Sequence, residues 1–244
     1  SVVLAGVLLK LGSYGLVRFA LQMTPEAFRA AAPLVVALAV FSALYGALAA
    51  LAQSDLKRLV AYTSVNHMGY VVLGVAAAAA AIDAPSRALA LDGAVLQMVS
   101  HGIVTGALFL LVGMLEDRTG TREMNDFRGL LRSVPLLGWG FVLAAFASLG
   151  LPGLAHFPAE FQVFLGTFGV YPLAAALALL GIVITAGLYL RAIQVAFLGD
   201  PAERWRDLTD LGARELWAVG PLLLLTIVLG VAPRLLLDLI SRAG

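Results

Sequence analysis

The chain has 244 residues, 61% hydrophobic and 13% charged, with a formal net charge of +1 and a mean hydropathy of +0.96. A soluble domain is nearer half apolar and a quarter charged, so this composition places the chain among proteins that cross a membrane several times. The small net charge, with no basic tract or RNA-binding aromatic pattern, excludes a nucleic-acid partner, and the absence of cysteine excludes disulfides, thiolate catalysis and cysteine-ligated metal centres.

Crossing a hydrocarbon core of about 30 Å takes about 20 apolar residues. Runs of that length predict an all-α polytopic protein with helices over 2–21, 33–52, 59–81, 92–115, 134–166, 172–198 and 216–233, about seven transmembrane helices. The first residues already read as mid-membrane helix, as expected of the later part of a longer protein. Pro33, Pro135, Pro172 and Pro221 stand at predicted helix starts, where a missing N–H does no harm.

In chain order, the first run holds Lys10, one of only two lysines, inside "LAGVLLKLGSYGLVRFA", with Tyr14 one turn later. The third run opens at Lys57 and Arg58, with Asp55 as the expected cap, and carries Thr63 and His67 at helical spacing. The alanine-rich stretch from Ala76 to Ala90 is expected to be an outer loop. In the fourth run Gln97, His101 and Thr105 form one polar stripe. The mixed-sign segment from Glu116 to Arg132 reads as a solvated loop.

The fifth run is too long for a simple crossing. Gly150, Pro152, Gly153 and Pro158 should interrupt its hydrogen bonding near 134–166 and leave two half-helices joined by unwound backbone. Such backbone is tolerated within a membrane only where it is buried in protein or lines a cavity, and broken helices mark transport sites. His156 falls in the unwound part and is expected to be a local cap or loop residue.

Counting alternate loops, ten basic residues (Lys57, Arg58, Arg118, Arg122, Arg128, Arg132, Arg191, Arg204, Arg206 and Arg214) face five (Arg18, Arg29, Arg87, Arg234 and Arg242). The richer side is expected to be cytoplasmic. Lys10, His67, His101 and Glu160 remain well inside predicted helices. A charge there costs on the order of 2.5 to 3.5 kcal/mol on insertion scales, so each is a candidate proton site. Structural alternatives stand beside this reading: interhelical hydrogen bonds for the histidines, snorkelling or pairing for Lys10, and a half-helix cap for Glu160.

The stretches "LAGVLLKLGSYGLVRF", "ALAQSDLKRLVAYTSVNHMGYVVLG", "QMVSHGIVTGALFLLVGML" and "SLGLPGLAHFPAEFQVFLGTF" occur in that order. Together they resemble the antiporter-like membrane subunits of proton-pumping NADH:quinone oxidoreductase (respiratory complex I), with greatest likeness to the M-type chains. The resemblance implies a fold of two inverted five-helix repeats, each with a broken helix. It assigns residues 1–32 to the helix linking the repeats and the loop after it, 33–198 to the second repeat, and 199–244 to a cytoplasmic loop and C-terminal helix. It further implies a proton relay through Lys10, His67, His101 and Glu160. The glutamate favours the M type, since the sister L- and N-type chains carry lysine there. The expected partners are other complex I membrane subunits, including those sister chains, the missing first repeat, and lipid in a bacterial inner membrane. No cofactor is expected in this pump module. The rival functions are a Na⁺/H⁺ antiporter subunit of the same fold and a purely structural membrane subunit.

Overall fold

The computed structural model describes residues 2–243, with side chains as far as residue 240, so the side chain of Arg242 lies outside the described residues. The helices are α1 (Leu4–Leu21), α2 (Pro25–Leu51), α3 (Leu56–Ala80), α4 (Ala84–Thr119), α5 (Leu130–Ser133), α6 (Pro135–Ser148), α7 (His156–Phe168), α8 (Pro172–Phe197), α9 (Ala213–Val231) and α10 (Arg234–Ala243). Six of them, α1 to α4, α8 and α9, are long and apolar enough to cross a membrane. The broken helix is present as α6 and α7 in series, separated by an irregular segment in which Gly150 and Gly153 take positive φ angles of 78° and 90°. Among the described residues there is no β-sheet, only an isolated bridge between Asp55 and Glu123.

Two predicted starts move. Pro33 lies inside α2, which begins at Pro25, and Pro221 lies inside α9, which begins at Ala213. A division of the chain at residue 33 therefore falls within a helix. An interior proline removes one backbone bond, and neighbouring membrane helices can hold the helix through that loss. Pro135 and Pro172 do open α6 and α8. The alanine-rich stretch is not an extended loop: α3 runs to Ala80 and α4 starts at Ala84. Alanine is the strongest helix former, and its run lengthens both helices toward a tight turn. There Asp83 accepts the Ser86 N–H at 2.7 Å, which holds its carboxyl below the usual range.

The basic loops come together at one end of the bundle. Asp55 caps α3 by accepting the amides of Lys57 and Arg58 at 2.8 and 3.0 Å, and its other oxygen lies 2.7 Å from Arg122 Nε. Glu116 links Lys57 and Arg122, Arg118 pairs with Glu215, and Arg132 pairs with Asp200. The segment after α4 is thus not simply solvated, because Met124, Phe127 and Leu130 are buried beneath these charges. Removing an N-cap acceptor costs about 1 kcal/mol. Asp55→Ala should therefore lower the thermal midpoint of the assembled protein more than Asp55→Asn, which keeps a cap acceptor; equal midpoints in a melting assay would refute that role.

Two apolar clusters share α3 and α4. One takes Leu56, Leu59 and Val60 of α3 with Val104, Ala107 and Leu108 of α4. The other takes Tyr70, Val71 and Leu73 of α3 with Ala94 of α4 and Val163 and Phe164 of α7. His67 of α3 lies between Val60 and Tyr70 in the chain, and Gln97 and His101 of α4 between Ala94 and Val104. Close contact of α4 with α7 depends on Gly93, where an added Cβ would lie 2.6 Å from Val163 N, a small-residue crossing of the kind membrane helices use.

Candidate functional site

All four residues singled out from the sequence come together as neighbours. Lys10 comes from the inward side of α1, whose other side exposes Val3, Leu4, Val7, Leu11 and Phe19. The helix widens into π-helical turns at Leu4–Leu8 and Leu16–Leu21, and Lys10 sits just after the first. Such turns interrupt the regular ladder and are frequent at functional sites. The ammonium donates to the carbonyl of Ala5 in that turn and contacts His101 Nδ1 at 2.6 Å. Tyr14, by contrast, is exposed and does not share the site.

His101 is fully buried on α4, with Gln97 and Thr105 buried on the same stripe. Its ring centroid lies 5.5 Å from that of His67 on α3 and 6.0 Å from that of His156 at the start of α7. The His67 and His156 rings meet edge to face at 4.6 Å. Glu160 is 3% exposed, and its Oε1 lies 3.2 Å from His67 Nδ1 and 3.7 Å from His156 Nδ1. The first of these contacts has the distance but not the alignment of a hydrogen bond. Gln97 Nε2 donates to the same carboxylate oxygen at 3.3 Å, and Ser100 donates to Gln97 Oε1 at 3.3 Å. Titratable groups thus neighbour one another from Lys10, through His101 and the His67–His156 pair, to Glu160.

His156 is not the local loop residue expected from the sequence. It is fully buried, its Nδ1 lies 3.3 Å from the Ser148 carbonyl, and it begins α7 one turn before Glu160. The i, i+4 spacing of "HFPAE" was the available signal. Ser148, Tyr189 and Asn66 were missed as well. Ser148 Oγ lies 3.1 Å from His67 Nε2 and donates to Tyr189 OH at 3.0 Å, and Asn66 bonds Tyr70 OH at 2.9 Å. Single hydroxyls and amides in apolar helices carry no sequence mark until the fold pairs them.

Chemically, burial of His67, His101, His156 and Glu160 strengthens the electrostatic interactions among them. Nitrogens of His67 and His156 and an oxygen of Glu160 fall within 4.8 Å of one another, which are donor types a divalent metal accepts. The His156 Nδ1 is turned to a carbonyl, however, and the carboxylate oxygen already accepts Gln97. His67 Nδ1, His101 Nε2 and His156 Nε2 are buried without a hydrogen-bond partner among the described residues. Among the described residues the buried carboxylates are Asp55, at the α3 cap, and Glu160.

A family model for "NADH:quinone oxidoreductase/Mrp antiporter, TM" matches residues 1–185. The NADH-quinone oxidoreductase subunit M of Mycobacterium tuberculosis is 38% identical over 243 residues, covering 100% of this chain and 42% of that protein. A chain in the structure of respiratory complex I from Thermus thermophilus with bound NADH superimposes with a TM-score of 0.84 at 37% identity, covering 92% of this chain and 46% of that one. A chain of the Mrp complex from Dietzia sp. DQ12-45-1b shares the fold, with a TM-score of 0.73 at 24% identity over 85% of this chain and 46% of its own length. The chain spans less than half the length of these relatives. By the match over residues 1–185, the chain belongs to the NADH:quinone oxidoreductase/Mrp antiporter transmembrane family.

Proposed function

We propose that the chain is the second-repeat portion of an M-type, proton-translocating subunit of NADH:quinone oxidoreductase. In this reading α1 links the repeats, α2 to α4 with the broken α6–α7 and α8 form the second repeat, and residues 199–244 supply a cytoplasmic loop and the last helices. The observation that carries it is the succession of neighbouring titratable groups from half-buried Lys10 through buried His101, His67 and His156 to buried Glu160. A proton gained or lost at one end changes the local charge felt by its neighbours, and burial keeps those interactions strong. Redox chemistry elsewhere in the complex would bias Lys10 or its surroundings and drive protons along the run.

The chain is then the pump part of a translocase, with no redox centre of its own. It would sit in a bacterial inner membrane with its basic loops cytoplasmic, against lipid, the first repeat and the L- and N-type sister subunits. A sodium ion, being a hard cation, would be held by several oxygen ligands. The buried run offers one carboxylate beside three imidazoles, which favours protons over sodium exchange.

The test uses Lys10→Met in the full-length subunit, with assembly checked on native gels. Expected is an assembled complex that oxidises NADH while acidification of inverted vesicles falls. Normal acidification at normal electron flux would refute the relay. Reduced assembly with normal acidification per NADH oxidised by the complex that does assemble would point to a structural role, and dependence of residual transport on Na⁺ over K⁺ would point to an antiporter.

A further inference from the structure

The hydroxyl chain beside His67 has a direction that follows from its far end. Thr63 Oγ1 donates to the backbone carbonyl of Val60 at 2.9 Å, and a carbonyl can only accept. Val60 O also receives Ser64 Oγ at 3.2 Å, but Thr63 Oγ1 lies closer to that carbonyl than to Tyr189 OH, 3.2 Å away, so its single hydrogen goes to the carbonyl and Tyr189 donates to Thr63. With its own hydrogen spent, Tyr189 accepts from Ser148 Oγ at 3.0 Å. Ser148 then has no hydrogen left for His67, and at 3.1 Å its oxygen accepts from His67 Nε2–H.

From this we infer that Ser148, Tyr189 and Thr63 are positioning residues that hold His67 as its Nε2–H tautomer and so make His67 and Glu160 a store for one shared proton. The inference rests on the relay reading above and gives one of its members a specific role.

With hydrogen fixed on Nε2, neutral His67 leaves Nδ1 bare 3.2 Å from Glu160 Oε1. A bare lone pair facing an ionised carboxylate is repulsive, and in a buried site that repulsion is little screened. One added proton removes it in either of two ways: on the carboxyl beside a neutral ring, or on Nδ1 as imidazolium beside carboxylate. Transfer between the two breaks an O–H bond and forms an N–H bond, with no net change of charge in the pair. A small turn of either group brings the contact into line.

The hydroxyl chain cannot serve as a second exit. Passing the Nε2 proton outward would shift a hydrogen along every hydroxyl in turn and place the last one on Val60 O, a peptide carbonyl far too weakly basic to hold it. A proton that enters His67 at Nδ1 therefore leaves by Nδ1. The ring is a two-position store beside Glu160, and the chain of hydroxyls sets its polarity.

The experiment takes the assembled complex, uniformly labelled with ¹⁵N-histidine, and reads the ring nitrogens by solid-state NMR. The His67 signals are identified by their disappearance in His67→Gln. Protonated and bare ring nitrogens resonate in separate ranges, so the tautomer is read directly. In the parent, His67 is expected to carry hydrogen on Nε2 with Nδ1 bare or shared. Tyr189→Phe frees the Ser148 hydroxyl to donate to Nε2, and Ser148→Ala removes the acceptor. Both should move His67 toward the Nδ1–H form and cut acidification several-fold at unchanged NADH oxidation. Ser148→Thr keeps the hydroxyl and should keep the parent tautomer. A parent His67 protonated on Nδ1 alone would overturn the inference and leave the relay standing, as would an unchanged tautomer in both Ser148→Ala and Tyr189→Phe. Should those variants fail to assemble, the parent spectrum still decides. Normal pumping by Lys10→Met would instead sink the relay without touching the tautomer.

Discussion

Replacing Glu160 by Gln is expected to stop proton flux through this subunit while the complex still assembles and oxidises NADH. The substitution keeps size and shape, and Gln97 can still meet the amide oxygen as it meets Oε1 now, at 3.3 Å. What disappears is a group that can hold a proton at the end of the buried run. Positioned proton-transfer groups contribute on the order of 10²-fold or more to the steps they serve, so the flux carried by this route should fall at least that far. The measurement is acidification of inverted vesicles per NADH oxidised, in membranes carrying the full-length subunit. Glu160→Asp, which keeps the carboxyl on a shorter stem, should retain part of the flux. Equal pumping by Glu160→Gln and the parent would remove Glu160 from the relay and leave the buried charges a structural role.

Much of this site was legible in the sequence because lipid imposes a simple rule. Apolar runs must be long, and anything ionisable inside them stands out. Lys10, His67, His101 and Glu160 were found that way, and all four converge. The broken helix was legible for a related reason, since Gly150, Pro152, Gly153 and Pro158 cannot all sit in one continuous helix. Helix starts were read less well. Pro33 and Pro221 resemble first-turn prolines by type, but their helices are held from outside by neighbours that a single sequence does not reveal. His156 was misplaced because the end of the unwound segment could not be fixed to within a turn, and α7 begins at that residue. Ser148 and Tyr189 stand 41 positions apart in the chain. Only folding brings them to the two sides of one hydrogen bond.

Gly150→Ala should damage pumping far more than Gly153→Ala, although both positions have positive φ. An L-residue forced into the left-handed region costs roughly 1–2 kcal/mol, so both variants lose some stability. With φ at 78° and 90°, that loss should be similar for the two. Their surroundings differ. A Cβ on Gly153 meets nothing within 4 Å, whereas one on Gly150 would lie 2.5 Å from Glu160 Oε2. No real Cβ contact is that short, so the carboxylate must move. Its Oε1 cannot then keep both the 3.3 Å contact to Gln97 and the 3.2 Å approach to His67. The difference between the two variants thus isolates the placement of Glu160 from the strain of the broken helix. Expected are similar losses in melting temperature and a several-fold lower acidification for Gly150→Ala alone. Equal acidification at equal stability would mean that the carboxylate tolerates displacement, and that proton passage at this end does not depend on its present position between α3, α4 and α7.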